Sequence, residues 1–330
     1  MTSERFLVTG AFGCIGAWAV KQLVDEGVPV WTYDLPGDPH RLRLIMPAEA
    51  LAKVSLVAGD ITDQSGFERA VADNGITHIL HLAALQVPFV RADPVQGARV
   101  NVVGSTIVCE TAVRQAAQVR GLAYASSAAV YGPMDLYPAG PLAHSAPHHP
   151  TNLYGVFKQA NEGTARIYWE ANGLRSIGLR PYVVYGPGRD QGVTSTPTKA
   201  MLAAAIGRPY RISFGGTVVY QYAADTAAVF IRAARASAGG EGAPVFNLGG
   251  SAASMEQIVA AIEAAAPEMA GQITFVPVPM PLPTEIDSQA LEDALGAVRW
   301  LPLADGVRQT IEHFRRAVQA GTLNVERAIA

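Results

Sequence analysis

The stretch TGAFGCIG, residues 9–16, lies between an apolar run, RFLV, and an apolar segment of helical character. It carries Gly10, Gly13 and Gly16 in the spacing G-x-x-G-x-x-G. Gly10 permits a tight turn after a strand. Gly13 lets the backbone approach a pyrophosphate, and Gly16 lets the following helix pack against the strand. The helix N-terminus then turns free N–H groups and a positive dipole end toward phosphate. Phe12, Cys14 and Ile15 fall between the glycines and join them as cofactor contacts. The spacing is one residue longer than the common dinucleotide fingerprint, and an ordinary strand–helix turn could use the same residues. Context has to decide.

Working outward, strand-like and helix-like segments alternate through the first 180 residues. RFLVTG, PVWTYD, VSLVAGD, ITHILHLAA, GLAYASS and RSIGLRPYVVYG read as strands, with helical segments between most of them. That alternation means βαβ units and a parallel sheet. The expected fold class is α/β: a Rossmann-type doubly wound parallel sheet with a smaller C-terminal α/β substrate-binding region. The expected division gives residues 1–185 to the dinucleotide-binding domain, with about 217–250 returning to it. Residues of about 186–216 and 251–330 form the substrate-binding region. The loop from Gly132 to Pro150 is too long for a simple turn, and such loops are often functional.

Asp34 closes the second strand, 24 residues after Gly10. A carboxylate there accepts hydrogen bonds from the adenosine ribose hydroxyls and repels a 2′-phosphate, so NAD is expected rather than NADP. Arg41 and Arg43 follow, but a 2′-phosphate would still face Asp34. LYGVFKQ places Tyr154 and Lys158 four apart, on one helix face. An ammonium beside a phenol stabilises the phenolate and makes tyrosine a usable base. Ser127 ends a strand 27 residues earlier, where ligands bind in open parallel sheets. It is placed to hydrogen-bond the reacting oxygen.

The bulk numbers restrict the alternatives. Hydrophobic residues make up 49% of the 330 residues and charged residues 16%, enough for a sizeable core. The net charge of -3 and the scattered arginines argue for neither nucleic acid nor an anionic membrane as partner. Cys14 and Cys109 cannot build a disulfide framework. His144, His148 and His149 lack a carboxylate pattern beside them, so no metal is expected. No apolar run is long enough to span a bilayer, and a soluble cytoplasmic protein is expected.

The motifs VTGAFGCIG, VAGDITD, ILHLAA, VNVVGSTIVCETA, YASSAAVYG, YGVFK, LRPYVVYGPG and DGVRQTIEHF together resemble the extended short-chain dehydrogenase/reductases, the NAD-dependent epimerase/dehydratase family. The resemblance covers nearly the whole chain. It implies that Asp60 and Ile61 contact the adenine, and that Leu82, Ala83 and Ala84 line the diphosphate and ribose side. It implies that Asn101 supports the active-site network and that Tyr182 and Val183 sit beside the nicotinamide. Ser127, Tyr154, Lys158 and Asn101 would be catalytic, with Asn101, Tyr154 and Lys158 also touching the cofactor. The resemblance further implies a homodimer through the long helices bearing Asn101 and Tyr154, with Ala112, Ala116 and Ala117 as close-contact residues.

Departures from the family narrow the chemistry. Ala128 and Ala129 stand where the sugar 4,6-dehydratases carry an Asp-Glu pair, so dehydration is not expected. Val218 and Val219 stand where nucleotide-sugar 4-epimerases carry Arg and Asp, and Val183 where an Asn is common. The missing Arg would have paired with a nucleotide diphosphate. A smaller hydroxylated substrate is therefore expected. Gln86, His149 and Asn152 flank the presumed pocket, and Arg91 or Arg189 could meet a carboxylate. The leading reading is an NAD-dependent dehydrogenase of a sugar or sugar-acid hydroxyl. An epimerase with retained NAD and a transient ketone is the alternative. A non-catalytic dinucleotide sensor comes third, because such proteins lose the Tyr and Lys.

Overall fold

The computed structural model describes residues 4–329. Strands β1 (Phe6–Thr9), β2 (Val30–Asp34), β3 (Ser55–Ala58), β4 (His78–His81), β5 (Gly121–Ala125) and β6 (Ile177–Arg180) lie in one sheet with β10 (Val245–Asn247). Its order is β10-β6-β5-β4-β1-β2-β3, and every pairing in it is parallel. Apolar runs account for this. Every residue of β1, β4 and β6 is buried, as expected of strands covered on both faces by helices. The strand order reverses between β1 and β4, and the cleft opens there, at the carboxyl ends of the strands.

RSIGLRPYVVYG reads as one strand but forms two. Pro181 and Tyr182 separate β6 from β7 (Val183–Tyr185), since a proline cannot donate to a sheet ladder. β7 joins a second sheet of order β11-β9-β7 with β9 (Thr217–Tyr222) and β11 (Ser251–Ser254). A third pair links β8 (Tyr210–Ile212) to β12 (Ile273–Phe275). Within YQYAAD, Tyr220–Tyr222 finish β9 and the helix Ala223–Ser237 starts after them. Gln221 in β9 is fully buried. Its Oε1 accepts from Tyr182 N at 2.8 Å, and its Nε2 donates to the carbonyls of Leu248 and Gly249, each at 2.9 Å.

The expected long helix around Asn101 is broken by a π turn over Arg99–Val103 before it continues as Gly104–Arg114. Ala112 of that helix is buried in this chain's own core, and Ala116 and Ala117 fall in the turn beyond it. These alanines therefore offer no close-contact stripe for a second helix. Among the described residues, no helix is long and apolar enough to cross a membrane.

Candidate active site

The glycine turn is built as its spacing requires. Gly10 has φ +65, and a Cβ on it would lie 2.6 Å from Ala83 N. A Cβ on Gly16 would lie 2.3 Å from Gly10 O, so the helix can approach the turn only without one. Gly13 is the N-cap of the helix Cys14–Asp25 and supplies no side-chain acceptor. The first amides of that helix are left to a ligand at the cleft.

Asp34 lies at the tip of β2. Its Oδ2 accepts from Phe12 N at 2.8 Å and its Oδ1 from Leu35 N at 2.9 Å, so it also braces the glycine turn. Burial pushes its carboxyl up, against the pull of those two N–H groups. Arg41 is committed elsewhere: Nη1 donates to Phe12 O at 2.6 Å and Nε to Asp190 at 2.8 Å. Asp60 lines the same cleft and is fixed by Thr62 N and Thr62 Oγ1, both at 2.8 Å. Ile61 packs beneath the π turn, where a Cβ on Gly104 would come within 2.9 Å of its Cγ2.

The loop after β4 is held by a buried relay with no counterpart in the sequence reading. Thr9 Oγ1 accepts from Leu82 N and Ala83 N, both at 3.1 Å, and meets His81 Nδ1 at 2.9 Å. His81 Nε2 meets Ser105 Oγ at 3.0 Å, and Ser105 donates to Asn101 O at 2.7 Å. With Thr9 already accepting twice, its proton goes to Nδ1, and Nε2–H donates to Ser105. Burial holds His81 neutral, with its pKa pushed down to about 3. Leu82, Ala83 and Ala84 thereby reach the cleft wall. Asn101 does not. Its amide clasps the backbone of Leu85, accepting from Leu85 N at 2.7 Å and donating to Leu85 O at 2.9 Å. Asn101, expected among the catalytic and cofactor residues, lies outside the cleft lining with both ends of its side-chain amide spent on main chain.

Ser127 follows β5 and lines the cleft with Tyr154 and Lys158. Its Oγ accepts from Ala129 N at 3.1 Å and shares a hydrogen bond with Tyr154. Tyr154 is the second residue of the helix Leu153–Asn172, which Asn152 caps by accepting from Gly155 N at 3.0 Å. Asn152 lines the cleft, but its carbonyl oxygen is occupied by this cap. Gly155 lets the helix close on the loop: a Cβ there would lie 2.1 Å from Ala129 O. Lys158, buried, donates to Ala125 O at 2.7 Å, and burial pulls its pKa down to about 8.

Its ammonium is 5.6 Å from the centre of the Tyr154 ring. The expected lowering of the phenol by Lys158 is not found. Burial raises the Tyr154 pKa, and the groups opposing that rise are the Ser127 hydrogen bond and the charge of Arg189. Desolvation outweighs a cation already bound to a carbonyl.

Behind these residues, Glu162 sits one helical turn after Lys158. Its Oε1 and Oε2 accept from Arg180 Nε at 2.8 Å and Nη2 at 2.7 Å, and its Oε1 also accepts from Ser126. His148 Nε2 meets Arg180 at 3.0 Å, which ties the 132–150 loop to this pair.

The cleft has a volume of about 730 Å³. Tyr182 and Val183 form part of its floor, and the Tyr182 hydroxyl donates to Pro283 O. Gln86, Phe89, Arg189, Val193, Thr194, Met280 and Leu282 also line the cleft. Phe89, Met280 and Leu282 lacked any periodic or motif signal in the sequence. Arg91 and His149 do not reach the cleft: both are outside its lining, and the His149 ring lies tilted against Tyr137 with centroids 5.7 Å apart. His144 and His148 face Phe246 and Arg180.

A parallel sheet, a glycine turn feeding a helix N-terminus, an acidic residue at the tip of β2 and a Ser-Tyr-Lys set define a dinucleotide-dependent oxidoreductase site of the extended short-chain type. The profile of the NAD dependent epimerase/dehydratase family matches residues 6–249. The UDP-glucose 4-epimerase of Mycolicibacterium smegmatis is 32% identical over 334 aligned residues, covering 96% of this chain and 100% of that protein. That of Azospirillum brasilense is 31% identical over 280 residues, 79% of this chain and 77% of its own. The Thermus thermophilus UDP-glucose 4-epimerase, solved in complex with NAD, is 26% identical with a TM-score of 0.77, covering 95% of this chain and 99% of that one. The chain belongs to the NAD dependent epimerase/dehydratase family and is an NAD-dependent enzyme. The glycine cradle, the uncapped helix N-terminus and Asp34 fit that cofactor.

Proposed function

We propose that the chain is an NAD-dependent dehydrogenase that oxidises a secondary hydroxyl of a small sugar or sugar-acid-like substrate. One observation carries this choice of substrate. Val218 and Val219 are buried in β9, so the strand offers no cation to a nucleotide diphosphate. The remaining cleft cations, Arg41 and Lys158, are spent on Asp190 and on Ala125 O, which leaves Arg189.

Bound NAD+ supplies a two-electron acceptor, so that alcohol and NAD+ become ketone, NADH and a proton. Ser127 donates a hydrogen bond to the substrate oxygen. Tyr154 takes the hydroxyl proton, its phenolate favoured by the positive charge of Arg189. The fixed Asn152 cap and the Lys158–Ala125 bond hold these groups before substrate arrives, which lowers the cost of orientation. On this reading, residues 1–185 with about 217–250 serve the cofactor, and about 186–216 with 251–330 serve the substrate. The two free thiols, Cys14 and Cys109, suit a reducing, cytoplasmic compartment.

A second reading is favoured by the full-length similarity to UDP-glucose 4-epimerases. There the ketone is reduced again on its opposite face before leaving. NADH accumulation separates the two. The purified chain, given NAD+ and a panel of free sugars, aldonates, uronates and nucleotide sugars, is expected to release NADH with a member other than a nucleotide sugar. Turnover of a nucleotide sugar without net NADH would establish the epimerase.

A further inference from the structure

Arg189 is the uncommitted guanidinium of the cleft. The two most buried arginines, Arg41 and Arg180, each hold their own carboxylate, Asp190 and Glu162. Arg189 forms no ion pair among the described residues. Its neighbour Asp190 is taken by Arg41 and His40. Its Nη2 donates to Thr194 Oγ1 at 2.9 Å, while its Nε is shielded from solvent with no partner at all. A charged donor left this way is costly, and a ligand acceptor relieves the cost.

The position tells which ligand. Arg189 lines the cleft together with Tyr154, Gln86 and Thr194. The chain makes room for it at Gly192, φ +90, where a Cβ would lie 1.9 Å from Gln86 Oε1 and 3.4 Å from Arg189 Nη2. Its charge already bears on the Tyr154 phenol. It bears also on Cys14 in the glycine turn, so the cofactor pyrophosphate is a competing source of negative charge.

We propose that Arg189 binds the carboxylate of a hydroxy-acid substrate whose secondary hydroxyl rests on Ser127 and Tyr154. This rests on the dehydrogenase reading and narrows its substrate class. The planar guanidinium fork matches a carboxylate in two parallel hydrogen bonds. Phe89, Val193, Met280 and Leu282 add no further cation on that wall. One negative charge beside the reacting alcohol is therefore what the cleft neutralises.

The test pairs short-chain hydroxy acids and aldonates with the polyols in which CH2OH replaces the carboxylate. The full chain is saturated with NAD+, binding is read by calorimetry, and NADH release is read separately. The wild type is expected to favour an acid over its paired polyol by on the order of 100-fold, in binding and in kcat/KM. Arg189→Gln is expected to erase that preference, mainly through KM, and Arg189→Lys to recover part of it. In both variants the Kd of NAD+ stays within about twofold, since bidentate contact is lost only to substrate. An acid preference that survives Arg189→Gln overturns the proposal, as does the absence of any preference. A fall in NAD+ affinity on the order of 100-fold in Arg189→Gln also overturns it, by giving the guanidinium to the pyrophosphate. Acids that bind through Arg189 without any NADH release overturn the dehydrogenase reading and leave the carboxylate assignment standing.

Discussion

Tyr154 is placed where its phenolate is hard to form, because burial outweighs the donors around it. Tyr154→Phe keeps the ring and removes the acceptor. It is expected to lower kcat by on the order of 1000-fold while leaving NAD+ affinity intact, measured by NADH release and calorimetry. His81 offers a second test at this scale. It is neutral in the fold, with a pKa of about 3, against an ordinary value of 6.5 when the chain unfolds. The unfolded chain thus binds a proton that the folded one refuses. Stability from this site is complete above pH 6.5 and is lost as pH falls toward about 3. The slope is up to about 1.4 kcal/mol per pH unit. Denaturant unfolding across that window is expected to show a shallower acid limb in His81→Gln than in the wild type.

At the scale of elements, the helix Leu153–Asn172 carries both the chemistry and its support. Lys158 and Glu162 lie one turn apart, and the Glu162–Arg180 pair anchors the helix to the end of β6. Glu162→Gln leaves Arg180 charged and buried without its carboxylate. The expected cost is about 3–5 kcal/mol in denaturant unfolding. Glycine spacing, strand alternation and the Tyr-x-x-x-Lys interval made the large sheet and the cofactor side legible in the sequence, since each follows from a local backbone or periodicity rule. Three features were not legible. The Glu162–Arg180 pair joins a helix to a strand 18 residues on. The Thr9–His81–Ser105 relay spans distant segments. Phe89, Met280 and Leu282 share a cleft only because a short helix and a distant loop converge on it. Long-range polar pairing and loop convergence leave no periodic trace. A weaker signal was available for Glu162: it falls on the same helical face as Tyr154 and Lys158.

For the whole molecule, the surface of that helix bears on assembly. Val156 and Ile167 are 41% and 50% exposed, eleven residues apart and so on one face, and Val103 on the neighbouring π turn is 48% exposed. We propose that this apolar stripe, rather than Ala112, Ala116 and Ala117, covers its counterpart in a homodimer. Val156→Glu with Ile167→Glu is expected to yield a monomer in light scattering, with NAD+ affinity retained. A variant that keeps the wild-type mass would place the contact elsewhere.

The two-residue passage from β6 to β7 and the three-residue passage from β10 to β11 are both stapled by Gln221. With so little slack, the sheet beneath the cofactor and the one beneath the substrate cannot swing apart like jaws. The cleft lined from both sheets therefore rests on one fixed base, Tyr182 and Val183 included.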